Sequence, residues 1–103
     1  MMSLKEGVTL KGLQPEILVG VMIVKDVLDK YKLDFVITAG LDGQHKEGSK
    51  HYIGQAVDIR SRNIESKLIP TIVRECKLAL GRDFDLVQED THLHLEFDPK
   101  GIK

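Results

Sequence analysis

The 103-residue chain is expected to fold as a single α+β domain spanning 1–103, with a small, mostly antiparallel sheet, helices on one face and a chemically active opposite face. Three observations predict this. Two helical periodicities alternate with short β-prone runs in the order helix, strand, strand, helix, hairpin. In two of the strand segments, apolar residues alternate with histidines and carboxylates, as a sheet with one buried face requires. The apolar fraction of 42% suffices for one modest core, and 30% charged residues are far too many for a membrane-embedded chain.

Leu13-Gln14-Pro15-Glu16 marks the start of the first helix, because proline at the first helical position forfeits no intrahelical bond. Ile17, Val21, Val24, Leu28 and Tyr31 then recur at spacings of three and four. Lys25, Asp26, Asp29 and Lys30 occupy the solvated side of that helix. Phe35 to Ala39 is a β-prone run ending at Gly40, and a polar loop from Leu41 to Tyr52 follows. In the strand Gln55 to Arg60, Val57 and Ile59 point one way, and Ala56, Asp58 and Arg60 the other. Asn63 is expected to cap a second helix whose stripe is Ile64, Leu68, Ile72, Cys76 and Leu80, with Gly81 as its stop. Pro70 interrupts that pattern, so the helix is either kinked there or begins nearer Ser66. Phe84 to Gln88 and His92 to Asp98 form a hairpin around Glu89-Asp90-Thr91.

Composition removes several function classes. Fifteen basic and sixteen acidic side chains leave a net charge of -1, and aromatics are 5% with no tryptophan, so no nucleic-acid partner is expected. Cys76 is the one cysteine, which rules out an internal disulfide or a cysteine-based zinc site and makes it a core residue of the second helix. The longest apolar run, Ile17 to Val24, is eight residues, well short of the ~20 needed to span a bilayer. Nor does the N-terminus show a signal-peptide stretch. The expectation is a monomer with no membrane partner, synthesised in the cytoplasm.

The four histidines lie in two short segments, His45 with His51 and His92 with His94. His92 and His94, two apart on a strand, project from one face. Asp58 projects from its own strand on the side opposite Val57 and Ile59. Gly54 lets the segment bearing His51 fold back over Asp58, which a helix would not allow at a spacing of seven residues. His51, Asp58 and His94 therefore form a candidate ligand triad. Three protein ligands with a fourth position open is the pattern of a catalytic zinc site. Glu89 or Asp90, in the hairpin connection, would supply a carboxylate to take a proton from water, and His92 would stabilise an oxyanion. Metal-assisted amide hydrolysis is the chemistry this set implies. Glu96 shares the histidine face, either supporting a ligand or exposed to solvent.

Ser49-Lys50-His51-Tyr52-Ile53-Gly54-Gln55-Ala56-Val57-Asp58 resembles the Ser-x-His-x-x-Gly-x-Ala-x-Asp signature of the M15 zinc peptidases, and Glu89 to His94 resembles the His-x-His strand of the same group. The order of elements also fits over nearly the whole chain. The resemblance implies a hedgehog/D,D-peptidase-like fold and zinc (Zn2+) held by His51, Asp58 and His94. It further implies Glu89 as general base, His92 as the neighbour assisting the transition state, and Ser49 and His45 lining the substrate cleft. The implied activity is peptidoglycan stem-peptide hydrolysis of the phage endolysin kind, as a D,D-carboxypeptidase or an L-alanyl-D-glutamate endopeptidase, acting on the cell wall after release or delivery. Two positions depart from the family pattern. Thr91 stands where many members carry the base glutamate, and Leu41 to Lys50 holds no arginine to clamp a substrate carboxylate. The alternative is a non-catalytic zinc-containing binding module of the same fold.

Overall fold

The computed structural model of the chain describes residues 2–41 and 50–99. Its elements are β1 (Met2–Leu4), α1 (Pro15–Lys30), β2 (Phe35–Ala39), β3 (Ala56–Arg60), α2 (Ile69–Leu80), β4 (Phe84–Gln88) and β5 (His92–Phe97). Short 3-10 turns at Lys50–Ile53 and Ser66–Leu68 precede β3 and α2. The five strands form one sheet in the order β1-β2-β3-β5-β4. β2, β3, β5 and β4 are antiparallel neighbours, whereas β1 pairs with β2 in parallel, so the sheet is mixed. The α+β class is as expected, and β1 is an addition. Its three residues are all exposed, so no alternation marks them as a strand; only the distant pairing with Phe35 to Ile37 defines it.

Pro15 lies in the first turn of α1, as its missing N–H permits. Ile17, Gly20, Val21, Val24, Val27 and Leu28 form the buried stripe of this helix. They meet Ile72, Cys76 and Leu80 of α2 and the sheet residues Phe35, Ile37, Val57, Ile59, Leu86, Leu93 and Leu95 in one core. Gly20 permits the closest approach, since a β-carbon there would stand 2.6 Å from the Phe84 ring. Both helices thus cover the same sheet face. Register keeps that face continuous, with Ile37 opposite Ile59, Ile59 opposite Leu93, and Val57 opposite Leu95.

Asn63 does not cap α2. Its amide donates instead to the carbonyl of Asp34, at 3.1 Å, tying the β3–α2 connection to the start of β2. The Ser66–Leu68 turn intervenes, and α2 begins at Ile69 with Pro70 in its first turn, so of the two expected arrangements it is the later start that occurs. Gly81 ends the helix as expected, at φ 80 with its N–H bonded to the Lys77 carbonyl. Among the described residues no helix is long and apolar enough to cross a membrane.

Candidate metal centre

The face of β3 and β5 turned away from the helices carries the polar half of the alternation. Asp58 stands opposite His94, and Arg60 opposite His92. His51 comes from outside the sheet, on the Lys50–Ile53 turn. That turn is anchored to the start of α1: the Gln14 N–H donates to the Gly54 carbonyl at 2.8 Å, and the Gln14 amide donates to the Ile53 carbonyl at 3.3 Å. Gly54 is required there. Its φ is +74, and a β-carbon would lie 2.3 Å from the Gly12 carbonyl oxygen.

With His51 so placed, three donor atoms form a nearly equilateral triangle. His51 Nε2 lies 3.2 Å from Asp58 Oδ1 and 3.2 Å from His94 Nδ1, and His94 Nδ1 lies 3.1 Å from Asp58 Oδ1. His51 and Asp58 are buried and His94 is half-buried. The other nitrogen of each imidazole is occupied. His51 Nδ1 is 2.8 Å from the Gly40 carbonyl, which can only accept, so the proton is on Nδ1. His94 Nε2 is 2.8 Å from Glu96 Oε1 and donates to that carboxylate. Both neutral imidazoles therefore direct lone pairs at the Asp58 oxygen. Three lone pairs at this separation repel one another unless a proton or a cation sits among them. Burial alone would raise the Asp58 carboxyl. With a proton rather than a metal ion among the three donors, hydrogen bonds from His51 and His94, and the nearby rings of His51 and His92, outweigh burial and hold the group far below the usual carboxylate range. Hydrogen bonding to Asp58 raises the His94 imidazole against the opposing effect of burial. His51, Asp58 and His94 could hold a metal ion.

The other expected site residues divide. His92 is half-buried beside the triad, with Nε2 3.7 Å from Asp58 Oδ2 and Nδ1 3.2 Å from the Thr91 hydroxyl. Glu89 and Asp90 are exposed in the β4–β5 turn. The Glu89 N–H closes that turn onto the His92 carbonyl at 2.9 Å, while its carboxylate makes no hydrogen bond or ion pair with another described residue. Ser49 and His45 lie outside the described residues. Of the two roles expected for Glu96, its contact with the His94 ring is the geometry that the first, supporting a ligand, would require. The Gly40 carbonyl is the contributor that sequence reasoning missed, since a backbone acceptor leaves no residue-type signal.

Comparison of the chain with protein-family models, with curated proteins and with solved structures gave no match.

Proposed function

We propose that the protein is a zinc-dependent peptidase that hydrolyses amide bonds in peptidoglycan stem peptides. The observation that carries this is the oriented His51–Asp58–His94 triangle. Its edges of 3.1 to 3.2 Å are close to the roughly 3.3 Å edge of a tetrahedral zinc site with bonds of about 2.0 Å, and two imidazoles with one carboxylate is a zinc donor set. When bound, zinc at three protein ligands supplies a Lewis acid that polarises a carbonyl and acidifies water.

The chain's own residues would complete the reaction. His92 faces the same side as the triad and is set to donate a hydrogen bond to negative charge developing on the substrate carbonyl oxygen. Glu89 is assigned to take a proton from water and return it to the departing amine, with Asp90 as the alternative base. Its carboxylate is exposed and uncommitted, so substrate binding would have to draw it inward. The same exposure favours a second reading, a zinc-containing binding module without turnover.

Digestion of purified cell walls by the zinc-loaded chain, with mass-spectrometric identification of new amino and carboxyl ends, tests the proposal. New ends that disappear with a chelator are expected. Intact walls across several wall chemotypes would overturn the peptidase reading and leave the binding module. Glu89→Gln and Asp90→Asn assayed side by side identify the base by which one loses cleavage.

A further inference from the structure

Beside the triad lies an open pocket of about 240 Å³, lined by Lys5, Thr38, Ala39, Asp58, Arg60, Arg62 and Thr91. It exists because the face narrows to small side chains there, with Ala39 directly opposite Asp58. Three cations converge on it from two parts of the chain. Lys5 follows β1, held by its N–H to the Ile37 carbonyl at 2.9 Å, while Arg60 ends β3 and Arg62 follows it. None of the three makes an ion pair or side-chain hydrogen bond with another described residue. Arg60 is half-buried, so its lack of a counter-ion is costly in a way that the exposed Lys5 and Arg62 do not experience. Asp58, the one carboxylate among the described lining residues, is engaged by His51 and His94.

We infer that this pocket binds a carboxylate of the peptide substrate, with the Arg60 guanidinium as its specificity-determining contact and Lys5 and Arg62 reinforcing it. A guanidinium presents paired N–H groups that match a carboxylate, whereas a neutral or cationic group would gain nothing from three unpaired cations. Asp58 and Arg60 are two residues apart on one strand face, about 7 Å along it. That is the length of about one extended dipeptide, so the recognised carboxylate belongs to the residue next to the bond that reaches the metal centre. The pocket has room for one such residue. The loop arginine missing between Leu41 and Lys50 would thus be replaced from a different part of the fold. For the substrate class this inference rests on the peptidase reading.

The test needs no hydrolysis. Zinc-loaded full-length chain is titrated with N-acetyl-D-alanine, with its carboxamide, and with N-acetyl-D-glutamate α-methylamide, following the arginine Nε–H resonances. The first probe carries a chain-end carboxylate and the third a side-chain carboxylate, so the tighter of the two identifies the source. At least one carboxylate should bind about tenfold or more tighter than the carboxamide, the worth of a charge-assisted contact. In Arg60→Gln that preference should disappear with zinc stoichiometry unchanged, and Arg60→Lys should restore part of it. Equal affinity for acid and carboxamide would overturn the inference, as would a preference that survives in Arg60→Gln, because the carboxylate would then be bound by zinc alone. Should Arg60→Gln fail to fold, the exposed pair Lys5→Gln and Arg62→Gln must together weaken the preference. A carboxylate preference without wall cleavage would refute the peptidase reading and leave the pocket assignment standing.

Discussion

His51, Asp58 and His94, and toward the β4 edge Asp85, Glu96 and Asp98, each gather three donor atoms within 4.8 Å on the same face of the sheet. Proximity does not separate them, but the surrounding hydrogen bonds do. In the first group two imidazoles have their spare nitrogens fixed by Gly40 and Glu96, so their lone pairs are aimed before any ion arrives. The second group has only carboxylates, all half-buried. One of them, Glu96, accepts from His94, and another, Asp98, lies 3.7 Å from the Lys50 ammonium. A set of acidic side chains that answers to neighbouring cations is an ordinary solvated edge; a set whose donors are already oriented toward one point is the one that could hold an ion. Hard-oxygen coordination and imidazole coordination also select different metals, so the two groups would not compete for zinc.

The largest expected effect breaks the comparison at its strongest point. Asp58→Asn removes the only anionic donor of the first group while keeping its shape. Zinc affinity should fall by more than about a hundredfold, beyond what loss of a supporting partner costs. Asp85→Asn, the matching change in the second group, should leave zinc affinity within about twofold, as a surface substitution away from the ligands does. Stoichiometry after dialysis and competition with a chromophoric chelator measure both. Equal losses in the two variants would mean that the ion, if bound, is held elsewhere.

A smaller effect is expected where the groups touch. Glu96 belongs geometrically to the acidic group but acts on the first by accepting from His94 Nε2. Glu96→Ala should cost about 10- to 100-fold in zinc affinity by releasing the His94 ring and its tautomer, without removing a ligand. Glu96→Gln, whose amide oxygen still accepts, should recover most of that loss. The same chelator competition resolves the series. If Glu96→Ala matches wild type, the support from Glu96 is incidental and the two groups are independent.

Much of this site was legible in the sequence because strands convert spacing into direction. Asp58 and His94 had to share a face once Val57, Ile59, Leu93 and Leu95 were taken as core, and register then set them opposite each other. His51 was legible through Gly54, whose positive φ makes the fold-back possible. Non-local and backbone contributions were not legible. β1 is recognisable only by its pairing with β2, and the Gly40 carbonyl only by the distance to His51. Asn63 has the residue type and position of a cap, yet the Asp34 carbonyl takes its amide, and tertiary geometry overrode local preference. The cationic pocket needed β1 as well, since Lys5 and Arg60 meet only through the sheet.

The gentlest way to sharpen the comparison is pH. With metal chelated, hydrogen bonding to Asp58 keeps the His94 value above the ordinary 6.5 despite burial. The stabilisation from protonated His94 is therefore fully present below 6.5 and is lost as pH rises through its raised value. For Asp58 burial works upward, but the hydrogen bonds from His51 and His94 prevail, so its contribution is present above 3.8 and survives until much stronger acid. The chelated chain should thus lose stability as pH climbs above 6.5. With zinc present the sign reverses, since the ion needs neutral imidazoles and protons compete for the same lone pairs. Thermal denaturation against pH, with zinc and with chelator, should give curves that diverge upward from near 6.5. An ion held by the three carboxylates would leave His94 to lose its proton alike with and without metal, so the gain from metal would be flat over that change. A flat difference between the two curves above 6.5 would move the ion from His51, Asp58 and His94 to the acidic edge.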